Sequence, residues 1–258
     1  MPFASINSIR LYYESHGDGA PVVFLHGRGG NHLSWWQQVP FFRDRYRCIV
    51  IDHREFGLSL DAPDGPGRAA HVDDLEQLLD HLRIEKVFLV GQSMGGSTAL
   101  GAAVRFPDRV MGLVLADTSG SIRAADILAD FRDRVKALPQ DAAVRAISEA
   151  FRKRDPERAF LYAEIGRLCA PVRETLEEYL LNEDGPSPDD LARFDVPTLV
   201  LVGSDDMVIS LAIARMVHGY IKGSRLAVVD GAGHSVYFEK PAEFNRLVAD
   251  FLGGLSPG

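Results

Sequence analysis

Six continuous apolar runs set the architecture of this 258-residue chain. They are Pro21–Leu25, Arg47–Ile51, Lys86–Val90, Val110–Ala116, Pro197–Val202 and Ser224–Val229. Short runs rich in Val, Ile and Leu, without alternating polar positions, predict strands covered on both faces. Asn7–Glu14 alternates enough to be an earlier strand. Amphipathic stretches lie between the runs. Ala70–Leu82 places Val72, Leu75, Leu78, Leu79 and Leu82 on one helical face, and Met94–Arg105 and Pro241–Leu252 also read as helices. Strand and helix in alternation predict an α/β fold, a parallel sheet with helices on both sides. The rhythm breaks between about Gly120 and Asp190. That segment holds only helical patterns: Ile122–Leu138, Ala142–Arg152, Pro156–Leu168 and Val172–Leu181. Its exit, Glu183 to Asp190, is a turn-rich linker. The expected division is therefore a core of residues 1–119 and 191–258 around an all-helical insertion of 120–190.

Composition narrows the classes of function. The net charge of −8 argues against nucleic acid as a partner, because phosphate contacts need a basic face. No apolar run approaches the roughly 20 residues of a membrane helix. Met1–Gly17 lacks a basic start followed by an apolar block, so no leader is read there. The two cysteines, Cys48 and Cys169, have neither metal-ligand spacing nor a disulfide framework, and are expected as reduced, buried thiols of a cytoplasmic protein. There is no His-Glu-x-x-His, no Cys-x-x-Cys and no phosphate-binding or dinucleotide-binding glycine loop, so neither a metal nor a cofactor is expected.

The chemistry concentrates where apolar runs end. Val87-Phe88-Leu89-Val90 leads directly into Gly91-Gln92-Ser93-Met94-Gly95-Gly96, and a helix leaves at once. A turn this tight puts Ser93 in strained dihedrals and leaves no room for a Cβ at Gly91 or Gly95. The Ser93 hydroxyl then stands at the carboxyl edge of the sheet beside a helix N-terminus, with the Met94 N–H aimed at developing negative charge. A serine nucleophile needs a base. His234, in Gly231-Ala232-Gly233-His234 after the last run, lies at the same edge. His71, His81 and His218 have no such placement and read as surface or packing residues. An orienting acid follows another run, in Gly203-Ser204-Asp205-Asp206; Asp206 is preferred, with Asp205 and Asp117 as alternatives. His26-Gly27-Arg28-Gly29-Gly30, after the first run, offers the Arg28 N–H as a second oxyanion donor.

Together with Asp52-His53-Arg54-Glu55-Phe56-Gly57-Leu58-Ser59, these segments resemble the α/β-hydrolase superfamily along nearly the whole chain. Among its members the chain is most similar to small bacterial esterases, enol-lactone hydrolases and cofactor-free perhydrolase-type enzymes. The resemblance implies a mostly parallel eight-stranded sheet, and it implies that the helical insertion is a cap over the active site. It also favours Asp206, three residues beyond the glycine that ends its strand. One departure stands out: Glu55 occupies a position usually held by glycine, where φ is often positive. Arg28 is a second oddity, its side chain facing either the pocket, to meet a substrate carboxylate, or solvent.

The function expected from these features is cleavage of a small carboxylic ester or lactone. Ser93 would be the nucleophile, His234 the base and Asp206 its partner. Carbon–carbon bond hydrolysis and cofactor-free perhydrolase or lyase chemistry are alternatives on the same scaffold. A non-enzymatic ligand receptor is a third.

Overall fold

Each apolar run forms a strand in the computed structural model, which describes residues 3–169, 172–182 and 184–255. The strands are β1 (Phe3–Ile6), β2 (Ile9–His16), β3 (Ala20–Leu25), β4 (Tyr46–Ile51), β5 (Val87–Gln92), β6 (Val110–Ala116), β7 (Thr198–Gly203) and β8 (Arg225–Val229). They build one sheet in the order β1-β2-β4-β3-β5-β6-β7-β8. β1 and β2 pair antiparallel, as do β2 and β4, and all later pairings are parallel. β1 is four residues long and carries too little pattern to be located from sequence. From β3 the chain passes to β4 on one side and then to β5 on the other. That reversal opens a crevice beyond the carboxyl ends of β3 and β5, where ligands of open parallel sheets bind.

Period-two alternation sorts the strand residues into two apolar cores. Val23 and Leu25 of β3, Ile49 and Ile51 of β4 and Leu89 of β5 face one side, where Leu75, Leu78 and Leu79 of the helix His71–His81 pack. Val22 and Phe24, Cys48 and Val50, Phe88 and Val90 face the other, against Phe244, Val248 and Leu252 of the helix Pro241–Gly253. Strands covered on both faces have no polar positions to spare, which accounts for the unbroken runs in the sequence.

Between β6 and β7 the described chain contains no strand. Its longest helices are Ala125–Arg134 and Pro156–Arg167. The predicted helix Ala142–Arg152 is two, Ala142–Ala146 and Glu149–Arg154, because extended backbone at Ile147 and Ser148 interrupts it and the Ser148 hydroxyl caps the second. Cys169, expected to be buried, lies beyond the end of Pro156–Arg167 and is only partly buried. Glu183, first residue of the expected linker, lies outside the described residues. Of the aromatics in this segment, Phe131 and Phe151 are buried as helical packing predicts, whereas Phe160 is 65% exposed.

Polar tethers hold the segment to the sheet. Glu239 accepts hydrogen bonds from the Ser148 N–H (2.9 Å), the Ser148 hydroxyl (2.6 Å) and the Gly233 N–H (2.9 Å). Arg173 pairs with Glu55 and with Asp61. Arg68 donates to both carboxylate oxygens of Glu174. Beneath Glu55, Arg54 is buried, with Nε and Nη2 on Asp74 (2.8 and 2.7 Å) and Nη1 on Asp61 (2.9 Å).

Two outcomes follow from these tethers. Arg54→Met strands two buried carboxylates and should lower unfolding free energy by about 3 kcal/mol or more in urea denaturation. Glu239→Gln should shift the pH dependence of stability. Burial, partly countered by the hydrogen bonds from Ser148 and Gly233, holds the Glu239 carboxyl above its ordinary value of 4.5. The folded state therefore binds this proton more tightly than the unfolded chain does. Its contribution declines as pH rises from the unfolded-state value through the folded one. Relative to the wild type, the variant should gain stability over that rise, read as the difference in urea midpoints between pH 4.5 and pH 7.5. A difference that does not change with pH would contradict this.

Candidate active site

Ser93 follows β5 at φ +50°, ψ −116°, in a region that L-residues rarely occupy. Close packing holds it there. A Cβ on Gly91 would strike the backbone of Gly95, and a Cβ on Gly95 would strike the Leu25 carbonyl at the end of β3. The Ser93 N–H donates to the Ala116 carbonyl (2.9 Å), and the Ser93 carbonyl accepts from the Thr118 hydroxyl (2.7 Å). The helix Met94–Arg105 starts at the next residue, so its N-terminal dipole end lies beside the serine.

Three strand ends converge on this hydroxyl. His234 lies beyond β8 with Nε2 3.0 Å from Ser93 Oγ, and its Nδ1 is 2.8 Å from Asp206 Oδ2. With Nδ1–H donating to the carboxylate, Nε2 is left to accept from the serine hydroxyl. The other Asp206 oxygen accepts from the N–H groups of Val208 (2.8 Å) and Ile209 (2.9 Å), which fixes the carboxylate. All three side chains are buried.

The alternative acids lie elsewhere. Asp205 is exposed and accepts from the Ser204 hydroxyl. Asp117 is buried and accepts from the N–H groups of Gly203 (3.1 Å) and Val236 (3.2 Å). Burial, and then the charge of Asp206, push Asp117 well above the usual carboxylate range. It braces the ends of the two loops that carry Asp206 and His234. Gln92 adds another brace by donating to the His234 carbonyl (2.8 Å). Neither brace has a local signal in sequence, because each joins segments far apart in the chain.

The loop after β3 completes the edge. His26 donates from Nδ1 to the Gly27 carbonyl (2.8 Å) and accepts at Nε2 from the His53 N–H (3.0 Å). Burial lowers its pKa to about 4, so it stays neutral while shaping the loop. His53 stacks on His71, ring centroids 4.5 Å apart, and burial draws His71 down to about 3. His71 is thus a packing residue; His81 is exposed and His218 meets the Ser224 hydroxyl (2.7 Å). No acceptor among the described residues meets the N–H of Met94 or of Arg28. Glu55 keeps the glycine-like backbone at φ +74°, and its side chain faces Arg173 rather than the cavity. Cys48 is buried in β4 and does not line the cavity, and burial pushes its thiol up to about 12.

A cavity of about 340 Å³ sits over Ser93 and His234. Its walls include Gly27 and Arg28 after β3, and Arg145, Tyr162 and Ile165 from the helical segment. Tyr162 lines the cavity and meets the Ser235 hydroxyl (2.9 Å). Among the described residues no group of three or more His, Cys, Asp or Glu side chains is arranged to hold a metal ion, and no helix is long and apolar enough to cross a membrane.

Known proteins are similar to this chain along most of its length. A 2-hydroxy-6-oxo-2,4-heptadienoate hydrolase of Pseudomonas putida is 34% identical, over 92% of this chain and 90% of the relative. 3-Oxoadipate enol-lactonase 2 of Acinetobacter baylyi is 30% identical, over 93% and 92%. Among solved structures, a thermophilic esterase from Thermogutta terrifontis superposes with a TM-score of 0.81 at 26% identity, covering 99% of this chain and 98% of that one. The family model for the alpha/beta hydrolase fold matches residues 20–241, and the chain belongs to that family.

Proposed function

We propose that this hydrolase-family protein is a serine hydrolase of small carboxylic esters or lactones, working through a covalent acyl-enzyme. The observation that carries the reading is the relay from Ser93 Oγ through His234 to Asp206, 3.0 and 2.8 Å, at the floor of a cavity. As Ser93 Oγ attacks the carbonyl carbon, its proton passes to His234 Nε2, and Asp206 stabilises the imidazolium. The N–H groups of Met94 and Arg28 receive the oxyanion. The leaving oxygen takes the proton from His234 and departs, leaving the acyl group on Ser93. Water then gives a proton to His234 and attacks the ester carbon. Ser93 leaves, regains its proton, and the acid is released.

Residues 120–190 act in this reading as a cap that walls the cavity and selects the substrate, around a core of 1–119 and 191–258. The support is the lining contributed by Arg145, Tyr162 and Ile165. Two unpaired thiols suit a cytoplasmic enzyme. Carbon–carbon bond hydrolysis is the second reading, favoured by the oxo-dienoate hydrolase relative at 34% identity.

Ser93→Ala should lower ester turnover by on the order of 10³ or more, measured in a pH-stat. A fluorophosphonate should add covalently to Ser93 in the wild type, detected by mass spectrometry. Near-normal hydrolysis by Ser93→Ala would end the proposal. Asp206→Asn should cost less than the serine change and far more than Asp205→Asn; equal losses from the two would refute Asp206 as the partner acid. Turnover of a vinylogous diketone with no acyl-enzyme on quenching would instead support carbon–carbon cleavage.

A further inference from the structure

Of the three arginines that line the cavity holding Ser93, two, Arg28 and Arg145, make no contact ion pair with a described carboxylate, whereas Arg167 pairs with Glu164. Arg28 comes from the loop after β3 and Arg145 from the helix Ala142–Ala146. Arg28 Nη2 donates to the Glu174 carbonyl, and its Nε is buried without an acceptor. Arg145 donates from Nη1 to the carbonyls of Pro139 (2.8 Å) and Gln140 (2.6 Å). No described carboxylate lies within ion-pairing distance of either. The obvious candidates are engaged elsewhere: Glu174 is held by Arg68, and Glu164 pairs with Arg167. Asp141, also in the wall, accepts from the N–H groups of Ala143 (2.8 Å) and Val144 (3.1 Å).

A half-buried cation whose hydrogen bonds go only to neutral carbonyls is incompletely compensated, and two in one small cavity repel each other. Burial first, and then the charge of Arg28, hold Arg145 below its ordinary pKa, with Tyr162 and Asp141 countering only part of the shift. An anion bound between them relieves both penalties. The guanidinium fork matches a planar carboxylate, and the bonds are charge-assisted. Ala146, Ile165, Leu176, Val208 and Phe238 supply an apolar part of the wall that suits a short carbon chain. The volume of about 340 Å³ lies near the lower end of small-molecule pockets.

We infer that the substrate is a small ester or lactone bearing a free carboxylate, which Arg28 and Arg145 bind while Ser93 attacks the ester carbon. The inference rests on the proposed hydrolase reading. It assigns substrate-binding roles to two side chains, one of which also supplies a backbone oxyanion donor.

The test compares monomethyl glutarate with methyl 5-methylhexanoate, in which an isopropyl group replaces the carboxylate. The wild type should prefer the anionic ester in kcat/KM by roughly tenfold or more, the scale of a charged hydrogen bond. Arg145→Gln and Arg28→Gln should each lower that preference by about tenfold, chiefly through KM for the anionic ester, and Arg145→Lys should retain part of it. Equal use of both esters by a wild type that a fluorophosphonate labels at Ser93 would overturn the inference and leave the hydrolase reading standing. Calorimetry on Ser93→Ala with glutarate tests the site without turnover. Binding weakened about tenfold by a second change, Arg145→Gln, supports the arginine site even if no ester is cleaved. Absence of glutarate binding at millimolar concentration overturns it. Thermal melts confirm that each variant is folded.

Discussion

The close approach of two backbones at the end of β5 is the constraint on which the site depends. Gly95 lies against the Leu25 carbonyl, and Gly91 against Gly95 itself. Only chains without a Cβ at these points can pass so near, and the passage forces Ser93 to φ +50°. The strain has a local return: the serine hydroxyl stands clear of the sheet beside a helix N-terminus. Unstrained dihedrals at that residue would turn the hydroxyl away from His234. The neighbouring loops can therefore be understood as braces for a geometry set by the elbow.

Those braces are long-range. Asp117 joins the end of β6 to Gly203 and Val236, on either side of the Asp206–His234 contact. Gln92 reaches the His234 carbonyl, and Glu239 holds Gly233 and Ser148 at once. Each satisfies backbone donors or acceptors that would otherwise be buried without partners. A loop carrying a histidine is mobile by default; here its ends and its centre are bonded to three different elements. The same bonds join the helical segment to the histidine loop, so the wall of the cavity and its floor share supports.

Much of this was legible before any coordinates. β3 to β8 follow from apolar runs because strands covered on both faces admit almost no polar residue, and Val110–Ala116 was located to the residue. Ser93, His234 and Asp206 were legible because each follows a strand, and parallel strands deliver their carboxyl ends to one edge. β1 was not, since Phe3–Ile6 is too short to carry a pattern. Ala142–Arg152 was read as one helix because Ser148 is compatible with a helical face; its role as a cap depends on Glu239, 91 residues away. The exposure of Phe160 and the cavity position of Tyr162 were not legible for a related reason. Periodicity says that an aromatic belongs to a face, and not whether that face meets protein, solvent or a cavity.

The cluster of His26, His53 and His71 behind the elbow makes the scaffold sensitive to acid. Burial lowers two of these imidazoles to about 4 and about 3, against an ordinary value of 6.5. The unfolded chain takes up protons near 6.5, and the folded chain refuses them until much lower pH. Each ring therefore withdraws stability progressively as pH falls between those limits. Acidification erodes the ground beneath the β3 loop, behind the serine.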